Sequence, residues 1–104
     1  MAMPMYGQNK DGDMLKGFAD SISGSKTWDA GSIGDGNEEA LEITVTGAAL
    51  GDFVLSSLSI DIADLVLTGA VTAADTVTLI LANNTGGAIN LASATAYCLV
   101  ISKV

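Results

Sequence analysis

Acid–base, nucleophilic and metal chemistry draw on a few side-chain types, and this chain is poor in most of them: it has no His, no Arg, one cysteine (Cys98) and four lysines (Lys10, Lys16, Lys26, Lys103). Hydroxyls are plentiful, but Ser or Thr becomes a nucleophile only beside a base, and a Ser–Lys pair would have to recruit one of those peripheral lysines. Carboxylates are the exception. Glu38, Glu39, Glu42, Asp61 and Asp64 have the type for paired acid and base work on a glycosidic bond. Such a site also needs a groove with aromatic platforms, and one Trp, two Tyr and two Phe, spread from Tyr6 to Tyr97, do not furnish one. The expectation is a protein that is not an enzyme.

Oxygen ligands cluster twice, at Asp11-Gly-Asp13 and at Asp35 to Glu39 through Gly36, Asn37 and Glu38. Calcium takes several such oxygens from a turning loop, but neither stretch has the spacing or the distal bidentate Glu of an EF-hand. Both read as solvated acidic loops. The glycines at 31, 34 and 36 lack the Lys-Ser/Thr ending of a phosphate loop and precede a strand, which makes them a corner turn. Cys98 sits in Ala-Tyr-Cys-Leu-Val-Ile and reads as a small buried hydrophobe. No cofactor, metal or small-molecule substrate is expected.

The net charge of −8 is unevenly supplied, because residues 27–102 contain no cation. Nucleic-acid binding works by neutralising phosphates with Lys and Arg, so DNA and RNA are excluded as direct partners, and an anionic membrane surface is excluded by the same repulsion. Protein surfaces remain. The first residues lack the basic region and apolar run of a signal peptide, and no apolar stretch approaches the ~20 residues of a membrane helix. A soluble product of a cytoplasm is expected.

The 104 residues fit one domain. At 49% hydrophobic and 15% charged the chain should fold, and with 5% aromatics its core must be built from Val, Leu, Ile and Ala. Residues 1–25 differ from the rest and read as an extended N-terminal arm. They hold all four methionines, the only proline and two of the four lysines. Leu15, Phe18 and Ile22, beside Met14, have helical spacing for at most two turns. Apolar groups on a segment too Gly-rich to fold on itself make Met3, Met5, Tyr6, Met14, Leu15 and Phe18 the candidate partner contacts.

Residues 26–104 read as a β-sandwich domain. Within 26–33 a first strand with Thr27 and Trp28 is expected to end in a turn at Asp29-Ala-Gly-Ser, and a loop is expected over 32–39. Residues 40–46 alternate strictly, with Leu41, Ile43 and Val45 on one face and Glu42, Thr44 and Thr46 on the other. A turn at 47–52 precedes a third strand at 53–58, residues 59–64 fit no single pattern, and a strand at 65–72 meets another at 76–82 through a tight connection. In the latter the threonines face out, with Val77, Leu79 and Leu81 inward. Residues 83–87 can supply the positive φ angles of a hairpin. A long apolar strand over 95–103 closes the chain. Short strands separated by Gly, Asn and Asp, without helices between them, indicate an all-β antiparallel sandwich or jelly-roll-like fold.

The runs Thr27-Trp-Asp-Ala-Gly-Ser-Ile-Gly-Asp-Gly, Glu42-Ile-Thr-Val-Thr-Gly-Ala-Ala-Leu-Gly-Asp-Phe-Val, Leu67-Thr-Gly-Ala-Val-Thr-Ala-Ala-Asp-Thr-Val-Thr and Leu81-Ala-Asn-Asn-Thr-Gly-Gly-Ala-Ile-Asn-Leu-Ala-Ser resemble segments of small virion structural proteins of tailed bacteriophages, among them capsid decoration (cement) proteins. The resemblance covers residues 27–102 and leaves the arm outside. It implies a virion protein on the outer capsid surface, synthesised in the host cytoplasm, that oligomerises as a homotrimer and clamps the major capsid protein through arm and sandwich. A tail, neck, baseplate or fibre subunit is the first alternative, and a receptor- or glycan-binding module the second.

Overall fold

The period-two rows of the sequence become strands. The computed structural model describes residues 21–103, and among these eight strands follow one another with no helix between them. They are β1 (Ser21–Trp28), β2 (Gly31–Ile33), β3 (Glu38–Thr44), β4 (Phe53–Leu58), β5 (Val66–Ala73), β6 (Thr76–Ala82), β7 (Ile89–Leu91) and β8 (Ala94–Ile101).

Pairing is nested, β1 with β8, β2 with β7 and β3 with β6, all antiparallel. The register that opens at Ser21↔Ile101 runs unbroken through Trp28↔Ala94 and Gly31↔Leu91 to Ile33↔Ile89. It slips once, before Glu38↔Ala82, where four residues on one arm (34–37) face six on the other (83–88). The three pairs are therefore one long ribbon that bends at its slip. β4 adds to the other side of β8 and β5 to the other side of β6, giving the sheets β1-β8-β4 and β3-β6-β5 with the short β2-β7 pair at the bend. This rolled, all-antiparallel β arrangement is the one the sequence indicates.

The two larger sheets bury their facing rows. Val77, Leu79 and Leu81 of β6 are fully buried, as their alternation predicts, against Ala96, Cys98 and Val100 of β8, with Ile43, Val45, Val71 and Trp28 closing the sides. Both flanks of the sandwich close on a glycine. A Cβ at Gly24 in β1 would stand 2.8 Å from Val45 Cγ2 and 3.1 Å from Ile43 Cγ2, and one at Gly69 in β5 would stand 2.6 Å from Leu79 Cδ2 and 3.0 Å from Val54 Cγ1. The missing side chains let β1 approach β3, and β5 approach β4. Overpacking a filled core costs about 1–3 kcal/mol. Gly69→Ala is therefore expected to lower stability by about 2 kcal/mol, read as a lower urea midpoint at unchanged slope.

Four sequence expectations shift. The first strand begins at Ser21, not Lys26, so Ile22 belongs to a strand and not to a helical turn. The strand ends at Trp28, where a turn is expected, but the chain resumes pairing at once: Gly31, at φ +69°, opens the short strand β2 where the loop over 32–39 is expected. The unpatterned stretch after β4 is a turn in which Leu65 N–H donates to Ile62 O at 3.0 Å, with Ala63 and Asp64 in the left-handed region and Asp61 Oδ1 accepting from Ala63 N–H. Residues 83–87 do not form a hairpin, because the strand that follows pairs with β2 rather than β6.

The cause of that last difference is Asn83, the one buried polar residue among those described, at 0% exposure. Its Nδ2 donates to Ile33 O at 2.7 Å and Gly87 O at 2.8 Å, while its Oδ1 accepts from Thr85 N–H at 2.9 Å and Thr85 Oγ1 at 2.7 Å. Its backbone is tied across the ribbon as well, Gly36 N–H donating to Asn83 O and Asn83 N–H to Asn37 O. The register slip is thus held by one fully bonded amide.

Candidate functional site

Each three-stranded sheet has one face in the core and one in solvent, and the two solvent faces differ in chemistry. On β3-β6-β5 the outward rows contain Glu38 and Glu42 beside Thr68, Thr76 and Thr78, and Thr72 and Thr78 share a hydroxyl hydrogen bond of 2.7 Å. On β1-β8-β4 the outward row of the central strand is Thr95, Tyr97, Leu99 and Ile101, because Ala94, Ala96, Cys98 and Val100 take the inner side. Register then sets its neighbours. Ser25 and Ser57 flank Tyr97, Ser23 and Leu55 flank Leu99, and Ser21 and Phe53 flank Ile101.

No outward position of this sheet carries a charge, in a chain of net charge −8. The carboxylates lie elsewhere. Asp29, Asp35, Asp61 and Asp64 sit in loops at the end where the ribbon bends, Asp52 and Asp75 at the opposite end, and the glutamates on β3. Phe53 and Leu55 are 63% and 60% exposed and Tyr97 46%, so two of the three described aromatics stand on this face while Trp28 is in the core. A shallow hollow of ≈ 290 Å³ lies among Ser23, Leu55, Ser57, Tyr97 and Leu99. Exposed aromatic and large apolar groups without Asp, Glu or Lys match the composition of a protein contact, whereas the serines among them do not, since Ser is depleted there too.

The acidic candidates fall on two elements, Glu38, Glu39 and Glu42 on β3 and Asp61 and Asp64 in the turn after β4. Asp35 Oδ1 accepts from Gly86 N–H at 3.0 Å, Asp61 serves its own turn, and Glu42 offers its backbone carbonyl to Lys26 Nζ at 3.1 Å. Among the described residues no three His, Cys, Asp or Glu side chains gather as a metal site. Asp11, Asp13 and the candidate contacts Met3, Met5, Tyr6, Met14, Leu15 and Phe18 lie outside the described residues. Cys98 points into the core beneath the face, and burial pushes its thiol up, against a smaller opposing effect of the Gly24 backbone.

Asp52 fixes the start of β4. The Ala49 amide holds its carboxyl below the ordinary range, followed by the Lys103 amide, with Lys103 Nζ at 3.6 Å adding to them from an exposed position. A depressed folded-state pKa stabilises above the unfolded value and is lost as pH falls through the folded one. The stability gap between the wild type and Asp52→Asn is therefore expected to be constant near neutrality and to close below about pH 3.8, as followed by urea midpoints from pH 7 to 2.5.

The sequence candidates did not include this face. Its signal is nevertheless present: alternate Ser and Thr at 21, 23, 25 and 27, and no charged residue in 53–58 or 94–102. No protein-family model matches the chain, and no curated protein matches it.

Proposed function

We propose that this chain is a structural subunit of a virion shell, a capsid decoration protein that docks on the major capsid protein through the outer face of the β1-β8-β4 sheet. The observation that carries the reading is the asymmetry of the sandwich, in which one broad face is uncharged, with large apolar groups set among small hydroxyls, and the carboxylates lie on the other surfaces. Such a face gains free energy when a partner covers it, and the acidic remainder keeps the decorated particle soluble. The resemblance of residues 27–102 to tailed-phage virion proteins supplies the partner.

The mechanism is mass action. A subunit that binds the assembled shell and not its dissociated parts stabilises the shell by RT ln(1 + [L]/Kd) per site, about 2.7 kcal/mol at a concentration one hundred times Kd. Many weak contacts repeated over a lattice suffice. Stoichiometry in purified particles tests the reading: a shell protein is present in on the order of hundreds of copies, a tail or neck subunit in about three to twelve, following the symmetry of each structure. Hundreds of copies is the expected result, and a count of a dozen or fewer transfers the protein to the tail.

A further inference from the structure

We propose that β4 is a homotypic edge, pairing antiparallel with β4 of a second copy of this chain about a two-fold axis through Leu55, so that two β1-β8-β4 sheets become one six-stranded sheet. An edge strand presents unpaired backbone N–H and C=O groups, and proteins ordinarily blunt such edges with charge, proline, bulges or cover. The two sheets have four edges. β1 carries Lys26, β3 carries Glu38, Glu39 and Glu42, and β5 has an irregularity between Val71 and Ala73. β4 carries none of these. It runs Phe-Val-Leu-Ser-Ser-Leu in unbroken register with β8 and bears the two most exposed large hydrophobic side chains of its sheet, Phe53 and Leu55.

Charge selects a second copy as the occupant. Two subunits of net charge −8 meet acid to acid on β3, on the outer face of its sheet and at both ends of the sandwich, whereas along β4 they meet without a charge on either side. Asp52, just before the strand, is turned to Ala49 and Lys103. Register follows from the pleat. Opposed residues in an antiparallel pair share a sheet face, so the axis must fall on a residue. Placed at Leu55 it sets the two leucines against each other and Phe53 against Ser57 of the other copy.

The pairing also deepens the proposed function, on which this one step rests. One outer face of three strands, two of eight residues and one of six, spans at most about 14 × 26 Å, or ~370 Å². That is about half of the ~800 Å² per partner of a standard interface. Two faces side by side reach about 750 Å².

The test is sedimentation of the free full-length chain, with thermal melting as a control for folding. A dimer is expected at tens of micromolar. Leu55→Lys and Leu55→Glu should each raise its dissociation constant at least ~100-fold by placing like charges across the axis. An equal mixture of the two variants should restore a dimer, because opposite charges then face each other. Thr68→Lys, on the other sheet's outer face, should change nothing. A monomer at about 100 µM, a trimer, or a dimer that Leu55→Lys leaves intact overturns the edge. Dimerisation by a chain that binds no particle overturns only the shell reading.

Discussion

Asn83→Ala is expected to remove about 4 kcal/mol of stability, the largest loss we anticipate for any single substitution of a polar residue in this chain. The methyl group leaves Ile33 O, Gly87 O and Thr85 N–H without the partners that now stand at 2.7, 2.8 and 2.9 Å. A buried group stripped of its hydrogen bond costs about 1–3 kcal/mol. Ile33 O sits deepest and incurs most of that cost, while Gly87 O keeps the Thr85 hydroxyl at 3.0 Å and Thr85 N–H, nearer solvent, recovers part of its loss from water. Against a total of roughly 5–15 kcal/mol for a domain, such a loss leaves a substantial unfolded population at physiological temperature. Urea unfolding gives the number.

Asn83→Asp is the sharper form of the same test, because volume is conserved and only the two donors are lost. The carboxylate would face two carbonyl oxygens, and protonation returns one donor. Its folded-state pKa must therefore lie above the ordinary carboxylate value of ~3.9, so the folded variant binds protons that the unfolded chain does not. Its stability should rise as pH falls from 7 toward 4, a trend opposite in sign to the loss traced to Asp52 in acid. An Asn83→Asp protein as stable as wild type at neutral pH would show that the amide does not hold the bend.

The strands that alternate cleanly were legible because burial of one sheet face is a local rule. Leu41, Ile43 and Val45 point inward, and Val77, Leu79 and Leu81 form the centre of the core, as their spacing requires. Partner choice is not local. Asn-Asn-Thr-Gly-Gly has the turn chemistry of a two-residue hairpin, and nothing in those five residues reveals that Asn83 bonds a carbonyl fifty positions upstream. The same limit applies to the face. Phe-Val-Leu-Ser-Ser-Leu reads as a strand of mixed burial, and only its place at the rim of a sheet, beside a β8 whose outer row is Tyr97, Leu99 and Ile101, turns Phe53 and Leu55 into a surface. The alternating serines of β1 gain meaning at that point, since small hydroxyls flanking an apolar row leave it open to a partner.

Tyr97→Asp is expected to weaken attachment to stripped particles at least ~100-fold, equivalent to about 2.7 kcal/mol, while leaving the isolated subunit folded. Tyr97 stands on the central strand between Ser25 and Ser57, so a docked partner covers it from all sides. A carboxylate buried there meets no lysine of its own subunit among the described residues, since Lys26 and Lys103 lie off the face, and a buried charge left unpaired costs several kcal/mol. The free protein is spared, because at 46% exposure the new group stays in water, where surface changes stay within about 0.5 kcal/mol. Because Tyr97 is not on β4, the substitution also separates docking from self-pairing: Tyr97→Asp should lose particles and keep the dimer, whereas Leu55→Lys should lose the dimer first. Thr68→Asp, an equal charge change on the opposite sheet, should keep both. Co-sedimentation with particles reads the first quantity and sedimentation of the free chain the second. If Thr68→Asp rather than Tyr97→Asp abolishes attachment, the acidic, threonine-rich sheet is the docking face, and the role assigned to the uncharged one is wrong.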